Sequence, residues 1–293
     1  MSGVIVCALS AWLGIGVPGP KKMPDPPQSE SPFAAKFAEM KKDMNRLLEK
    51  FQQAYAAAET EKDKEAVAAR MLEGLNRDSA ALAGRALALA KPRAADPFAV
   101  EVFTWIVEHA PGSDAANEAA ELLLKHHLKN ARTQSMVAHF VHAPLPWTEK
   151  LLRALAAADL PRDQKALALF QLAQSLQAKA EVPALLGFLD PAMKQMVETQ
   201  FGKAYLDTLR KLDTAKIEDE AVALYKEVGA KYGDVVYGTQ KLGDTAAAAV
   251  FEIRNLSIGK TAPEITGKDI DGRPMRLSDF RGKVVVLDFW GNW

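Results

Sequence analysis

From Phe33 onward, apolar residues return at the spacing of one helix face: Phe33, Phe37, Met40, Met44, Leu47, Leu48 and Phe51. That period holds to about Leu256, interrupted at short intervals by start and stop signals. Asp96-Pro97 opens a helix through Val100, Phe103, Trp105, Ile106 and Val107, and Pro111-Gly112 closes it. Ser113 can cap the next helix, which carries Leu122, Leu123 and Leu124. Pro144 and Pro146 open another, Leu160-Pro161 separates two more, and Asp190-Pro191 starts a later one. Helices of roughly 12 to 20 residues with short connections describe an antiparallel helical array. Alanine runs such as Ala54 to Ala58 and Ala246 to Ala249 raise helix propensity and let neighbouring helices approach closely.

The pattern changes near Leu256. Two short alternating segments flank Asp271-Gly272, which predicts a β-hairpin between Glu264 and Leu277. Lys283 to Trp290 then reads as a strand, with Val284, Val286, Asp288 and Trp290 on one face and Val285, Leu287 and Phe289 on the other. Almost every position on both faces is apolar, so the expectation is a central strand covered on both sides by helices. Asp288 is the polar exception.

At the other end, Val4 to Val17 is an uncharged stretch too short to span a bilayer as a helix but of the length of a signal-peptide core. Residues 1–17 are therefore read as a signal peptide and the protein as extracytoplasmic, periplasmic or secreted. No Lys or Arg precedes the apolar stretch, so a start codon placed too far downstream is the alternative. Membrane association would come only through this segment if it stays uncleaved, and Val6 before Cys7 is too large for a lipoprotein signal. Residues 18–32 are rich in proline and form an extended linker.

Lys plus Arg and Asp plus Glu both number 37, so no net charge draws the chain to nucleic acid or anionic membranes. Cys7 is the one cysteine. It has no partner for a disulfide, a dithiol or a zinc site, and its apolar surroundings disfavour the thiolate.

Three linked pieces carry a resemblance: Gly259-Lys-Thr-Ala-Pro-Glu264, then Asp269 to Lys283 with its Asp-Gly turn, then Val284-Val-Val-Leu-Asp-Phe-Trp-Gly-Asn-Trp293. In order and spacing they resemble the opening of thioredoxin-like thiol-disulfide oxidoreductases and of the wider redoxin group, which includes alkyl hydroperoxide reductases and thiol-specific antioxidants. The ending resembles the reductases more than the peroxidases, because in the reductases Cys-x-x-Cys follows the second Trp at once. The resemblance implies a fragment: the sequence stops at Trp293, where the nucleophilic cysteine would come. It also implies thiol-disulfide exchange with protein disulfide or thiol substrates and a thiol electron donor in the complete protein, and no organic cofactor. Asp288 matches the family's buried acid, which moves a proton to and from the second cysteine. An apolar setting that raises its pKa suits a carboxyl to that task.

The full expectation is a mainly α array over residues 33–256, followed over residues 257–293 by the first β elements of a thioredoxin-like α/β domain. Glu220 to Tyr232 looks like one helix of a tetratricopeptide unit, but no clean repeat recurs, so the array is read as irregular. Its concave side is a candidate surface for a protein partner. The competing function is a non-enzymatic helical interaction or scaffold protein with a residual redoxin tail. His126, His127, His139 and His142 cluster in sequence, and a shared helix face is expected for His139 and His142. Without carboxylates or cysteines at ligand spacing they are read as surface histidines, not a metal site. Trp105 and Trp147 are read as core, and Glu59 to Glu65 as a solvated turn and helix start.

Overall fold

The computed structural model describes residues 33–58, 60–189 and 191–288. The signal-peptide and linker segments, Cys7, and Phe289 to Trp293 lie outside the described residues. Eleven α-helices and two small hairpins occur among those described. They are α1 (Ala34–Ala56), α2 (Glu61–Ala90), α3 (Ala99–His109), α4 (Asp114–His126), α5 (Ala131–His139) and α6 (Pro146–Ala157). There follow α7 (Arg162–Phe188), α8 (Pro191–Phe201), α9 (Lys203–Leu209), α10 (Thr214–Tyr232), β1 (Val236–Tyr237), β2 (Gln240–Lys241) and α11 (Leu242–Asn255). The chain ends in β3 (Thr266–Lys268), β4 (Pro274–Arg276) and a 3-10 turn, Leu277–Phe280. The protein is mainly α, as its hydrophobic period predicts.

Several helix boundaries fall where the sequence placed them. Ser113 caps α4 by accepting from the Ala116 amide at 3.1 Å. Asp96 Oδ1 accepts from the Phe98 amide at 2.8 Å, which holds the turn through Pro97 so that α3 starts at Ala99. Pro146 and Pro191 each open a helix, where a missing N–H costs nothing. Three helices exceed the expected length: α1 has 23 residues, α2 has 30 and α7 has 27. In α7, Pro183 lies inside the helix and does not end it. Val182 and Leu186 on either side of Pro183 are buried against Leu189, Leu206 and Leu209, and that packing offsets the lost backbone bond.

The core is built around α3, whose residues Ala99 to Val107 are all buried. Its hydrophobic side chains pack with α2, α4 and α5. Trp105 takes the edge of Phe37 at 5.3 Å between ring centres, and Phe33 and Phe37 both meet Phe98. Polar groups in this helix are matched: Thr104 donates to the Val100 carbonyl at 2.8 Å and accepts from Arg132 Nε at 2.9 Å, and Glu101 pairs with Lys41 at 2.8 Å. Trp147 is core as well, with its indole donating to the Pro111 carbonyl at 3.0 Å.

The second half packs along α7, which lies against α6 on one side and makes the most extensive helix pairing of the molecule with α10. Phe170 meets Tyr225 edge-on at 5.6 Å in that seam. The β1–β2 hairpin, absent from the sequence reading, turns the chain from α10 into α11. Its strands are two residues each, too short for a period-two pattern to show. Gly243 sits against Gly233 there: a Cβ on Gly243 would come within 2.9 Å of the Gly233 Cα and 3.0 Å of its carbonyl oxygen. Gly243→Ala is therefore expected to destabilise the protein by about 1–3 kcal/mol through backbone displacement, measured as a lowered urea midpoint.

Candidate functional site

The resemblance places the chemistry after α11. Gly272, with φ of +80°, forms the tip of the β3–β4 hairpin. The turn is held by Asp269, whose Oδ1 accepts from the amides of Asp271 at 2.9 Å and Arg273 at 2.8 Å. Pairing runs Thr266↔Arg276, Gly267↔Met275 and Lys268↔Pro274, inside the expected Glu264 to Leu277 span. Glu264 Oε1 accepts from the Ser278 amide at 3.0 Å, and hydrogen bonding from Ser278, its side chain first and then its amide, holds the carboxyl below the usual carboxylate range. Asp279 closes the following 3-10 turn by accepting from the Arg276 amide at 2.8 Å. These bonds all join residues between 264 and 279, so the hairpin and the turn rest on local sequence.

The strand expected from Lys283 to Trp290 is not formed over its described part. Val284 to Asp288 run outside any strand and are exposed, Val284 by 97% and Val286 by 87%. Asp288 is likewise on the surface, while the apolar setting that the resemblance implies for it belongs to the complete protein. The reason lies in what surrounds it. A two-sided apolar strand is held by ladder partners and covering helices, and among the described residues none pairs with or covers this one.

The histidines are separated by their surroundings. His127 is buried and its Nε2 bonds the Ala94 carbonyl at 2.7 Å, a structural tie between α4 and the end of the 3-10 turn after α2. His139 is the last residue of α5, whereas His142 lies in the turn beyond it, so the two do not share a helix face. Phe140, packed edge-on against Trp147 at 5.1 Å, ends the helix before that face can continue. Among the described residues no group of three or more His, Cys, Asp or Glu is arranged to hold a metal ion.

Two clefts flank α7, and neither was signalled by a motif. One lies at the start of α6, where Glu149 is bonded by Lys179 at 2.7 Å and Arg153 at 2.8 Å, and Tyr205 donates to the Pro144 carbonyl at 2.5 Å. Loss of solvation, with the Glu149 charge, pushes the Tyr205 phenol up to about 12. The other, of about 350 Å³, lies between α7, α10 and α11, with Phe170 and Tyr225 in its lining and Glu181 and Glu252 among its polar groups. Such sites are set by residues distant in sequence, which no local pattern reveals.

Part of the chain is similar to thiol-disulfide oxidoreductases. Thiol-disulfide oxidoreductase ResA of Geobacillus thermodenitrificans (strain NG80-2) is 47% identical over 53 residues, covering 18% of this chain and 30% of that protein. The ResA of Geobacillus kaustophilus (strain HTA426) is 50% identical over 38 residues, 13% of this chain and 22% of that protein. The ResA of Bacillus subtilis (strain 168) is 43% identical over 53 residues, 18% of this chain and 30% of that protein. The chain thus spans less than a third of the length of these relatives. No family model matches it. No solved structure matches it either. The likeness is local, confined to 13% to 18% of the chain. Among the described residues no helix is long and apolar enough to cross a membrane.

Proposed function

We propose that this chain is the leading part of an extracytoplasmic thiol-disulfide oxidoreductase, in which a helical domain precedes a thioredoxin-like domain completed by residues after Trp293. The observation that carries this reading is the local identity of 43% to 50% with thiol-disulfide oxidoreductases, together with the Gly-Lys-Thr-Ala-Pro, Asp-Gly and Trp-Gly-Asn-Trp pieces in family order. In the complete protein one cysteine thiolate attacks a substrate disulfide, forming a mixed disulfide and releasing one substrate thiolate. The second cysteine then attacks the bridging sulfur, leaving an enzyme disulfide and the reduced substrate. Asp288 takes the proton of that second thiol and returns it when a thiol donor re-reduces the enzyme. For this, its strand must be paired and covered, which raises the carboxyl toward neutral pH.

Insulin reduction tests the proposal. The 293-residue chain is expected to show background turnover, because its one thiol, Cys7, has no resolving partner. The protein encoded by the continued reading frame is expected to reduce insulin and to lose that activity on thiol blocking. A frame that continues without Cys-x-x-Cys, or thiol-dependent turnover by the 293-residue chain, refutes the proposal. The first outcome would favour the helical scaffold reading, which the exposure of Asp288 also fits.

A further inference from the structure

The cleft at the start of α6 is walled by three parts of the chain that lie far apart in sequence. Pro144, Leu145 and Pro146 lead into α6, Leu209 ends α9 and Leu212 follows it, and Ser175 and Lys179 stand one turn apart on α7. The walls are fastened to one another. Tyr205 of α9 donates to the Pro144 carbonyl at 2.5 Å, and Lys179 of α7 bonds Glu149 of α6 at 2.7 Å. The space they enclose is about 150 Å³, room for a molecule of about six non-hydrogen atoms.

Ser175 is the unusual group in this lining. It is 7% exposed, yet among the described residues its hydroxyl has no hydrogen-bond partner. A hydroxyl inside a helix has the carbonyl one turn earlier within reach, as Thr104 shows by donating to Val100 at 2.8 Å. Ser175 makes no such bond to Gln171. Because its backbone lies in the middle of α7, the part of Ser175 that reaches the cleft is its side chain. Thr133 and Thr148 also carry unpaired buried hydroxyls, but neither lines this cleft or the one beside α11.

The remaining polar groups define what can answer that hydroxyl. Glu149 accepts from Lys179 on one oxygen and from Arg153 on the other, the Pro144 carbonyl accepts from Tyr205, and the Ala143 carbonyl accepts from the Leu145 amide at 2.8 Å. Each of these acceptors therefore already has a donor. Donors are in surplus: besides Ser175, Lys179 carries three N–H groups and bonds one partner among the described residues. Charge is balanced, since Lys179 and Arg153 face Glu149 and Glu220, and Arg153 bonds both Glu220 oxygens at 2.6 and 3.1 Å. An anion in the cleft would lie against Glu149 with no free countercharge, and a cation would meet the Lys179 ammonium. A neutral oxygen acceptor meets neither obstacle.

We propose that this cleft binds a small neutral carbonyl compound, an amide or ketone on a short aliphatic body, whose oxygen accepts from Ser175 Oγ and Lys179 Nζ. Its carbon body lies against Pro144, Leu145 and Leu209. The site belongs to the helical array and does not depend on the redox reading.

NMR titration of the 293-residue chain tests this, with N,N-dimethylacetamide as the carbonyl probe and butyrate and butylammonium as charged probes of similar size. Dimethylacetamide is expected to give saturable shifts at the amides of Leu145, Ser175 and Lys179, with a dissociation constant of about 1–30 mM for so few atoms. Both charged probes are expected to bind about tenfold more weakly or less. Ser175→Ala is expected to weaken dimethylacetamide binding about three- to tenfold. Because that variant deletes a hydroxyl with no partner in the protein, its melting temperature should be unchanged or raised. The proposal is overturned if no saturable shift occurs at those amides, if either charged probe binds as tightly as dimethylacetamide, or if Ser175→Ala binds it as the native chain does. The first two results need only the native chain, so they decide the matter even if the variant does not fold.

Discussion

In the 293-residue chain, the amides of Val284 to Leu287 are expected to exchange hydrogen at rates near those of an unstructured peptide, while the central amides of α3 and α7 exchange only through global unfolding. The contrast is large because the two segments differ in every source of protection. Val284 to Leu287 belong to no ladder, and their side chains are 42% to 97% exposed. The amides of α3 are in helix, and its residues from Ala99 to Val107 are buried. For a domain stable by ~5–15 kcal/mol, protection of the core amides exceeds that of the tail by about four orders of magnitude or more. Exchange followed by mass spectrometry or NMR decides the matter: slow exchange at Val284 to Leu287, matching α7, would mean that this segment is paired in a sheet. The same exposure carries a second cost. Covering Val284 and Val286 would stabilise by about 1.5–3 kcal/mol each, so an open segment of this composition favours association.

The second large effect is expected at Phe103. This side chain is fully buried in α3, the helix that α2, α4 and α5 enclose, and its ring lies 6.3 Å from that of His127. Phe103→Ala removes an aromatic ring from a site whose walls belong to separate helices and cannot all collapse inward. The expected loss is about 3–5 kcal/mol, read from urea unfolding. Phe251→Ala serves as the comparison, because Phe251 is 52% exposed on α11 and its loss should change stability by no more than about 0.5 kcal/mol. A Phe103→Ala loss as small as that of Phe251→Ala would contradict the placement of α3 at the centre of the core.

The sequence by itself determined the elements whose causes are local. The 3.6-residue period from Phe33 to Leu256, Ser113 as a cap, Pro146 and Pro191 as helix openings and Asp271-Gly272 at a hairpin tip all act within a few residues. Trp105 and Trp147 were legible as core for the same reason, since each sits within an apolar helical stripe. The family resemblance was also legible, being a matter of short motifs in order.

Tertiary structure decided what depends on residues far apart. It lets α7 run through Pro183 because α9 covers that turn. It ends α5 before His142 because Phe140 packs on Trp147, and it brings Glu181 of α7 and Glu252 of α11 to one cleft. It also decided the exposure of Asp288. The apolar alternation of Val284 to Leu287 encodes readiness for two covered faces, but burial is a property of partners. With no strand beside it and no helix over it among the described residues, the same segment lies open to solvent.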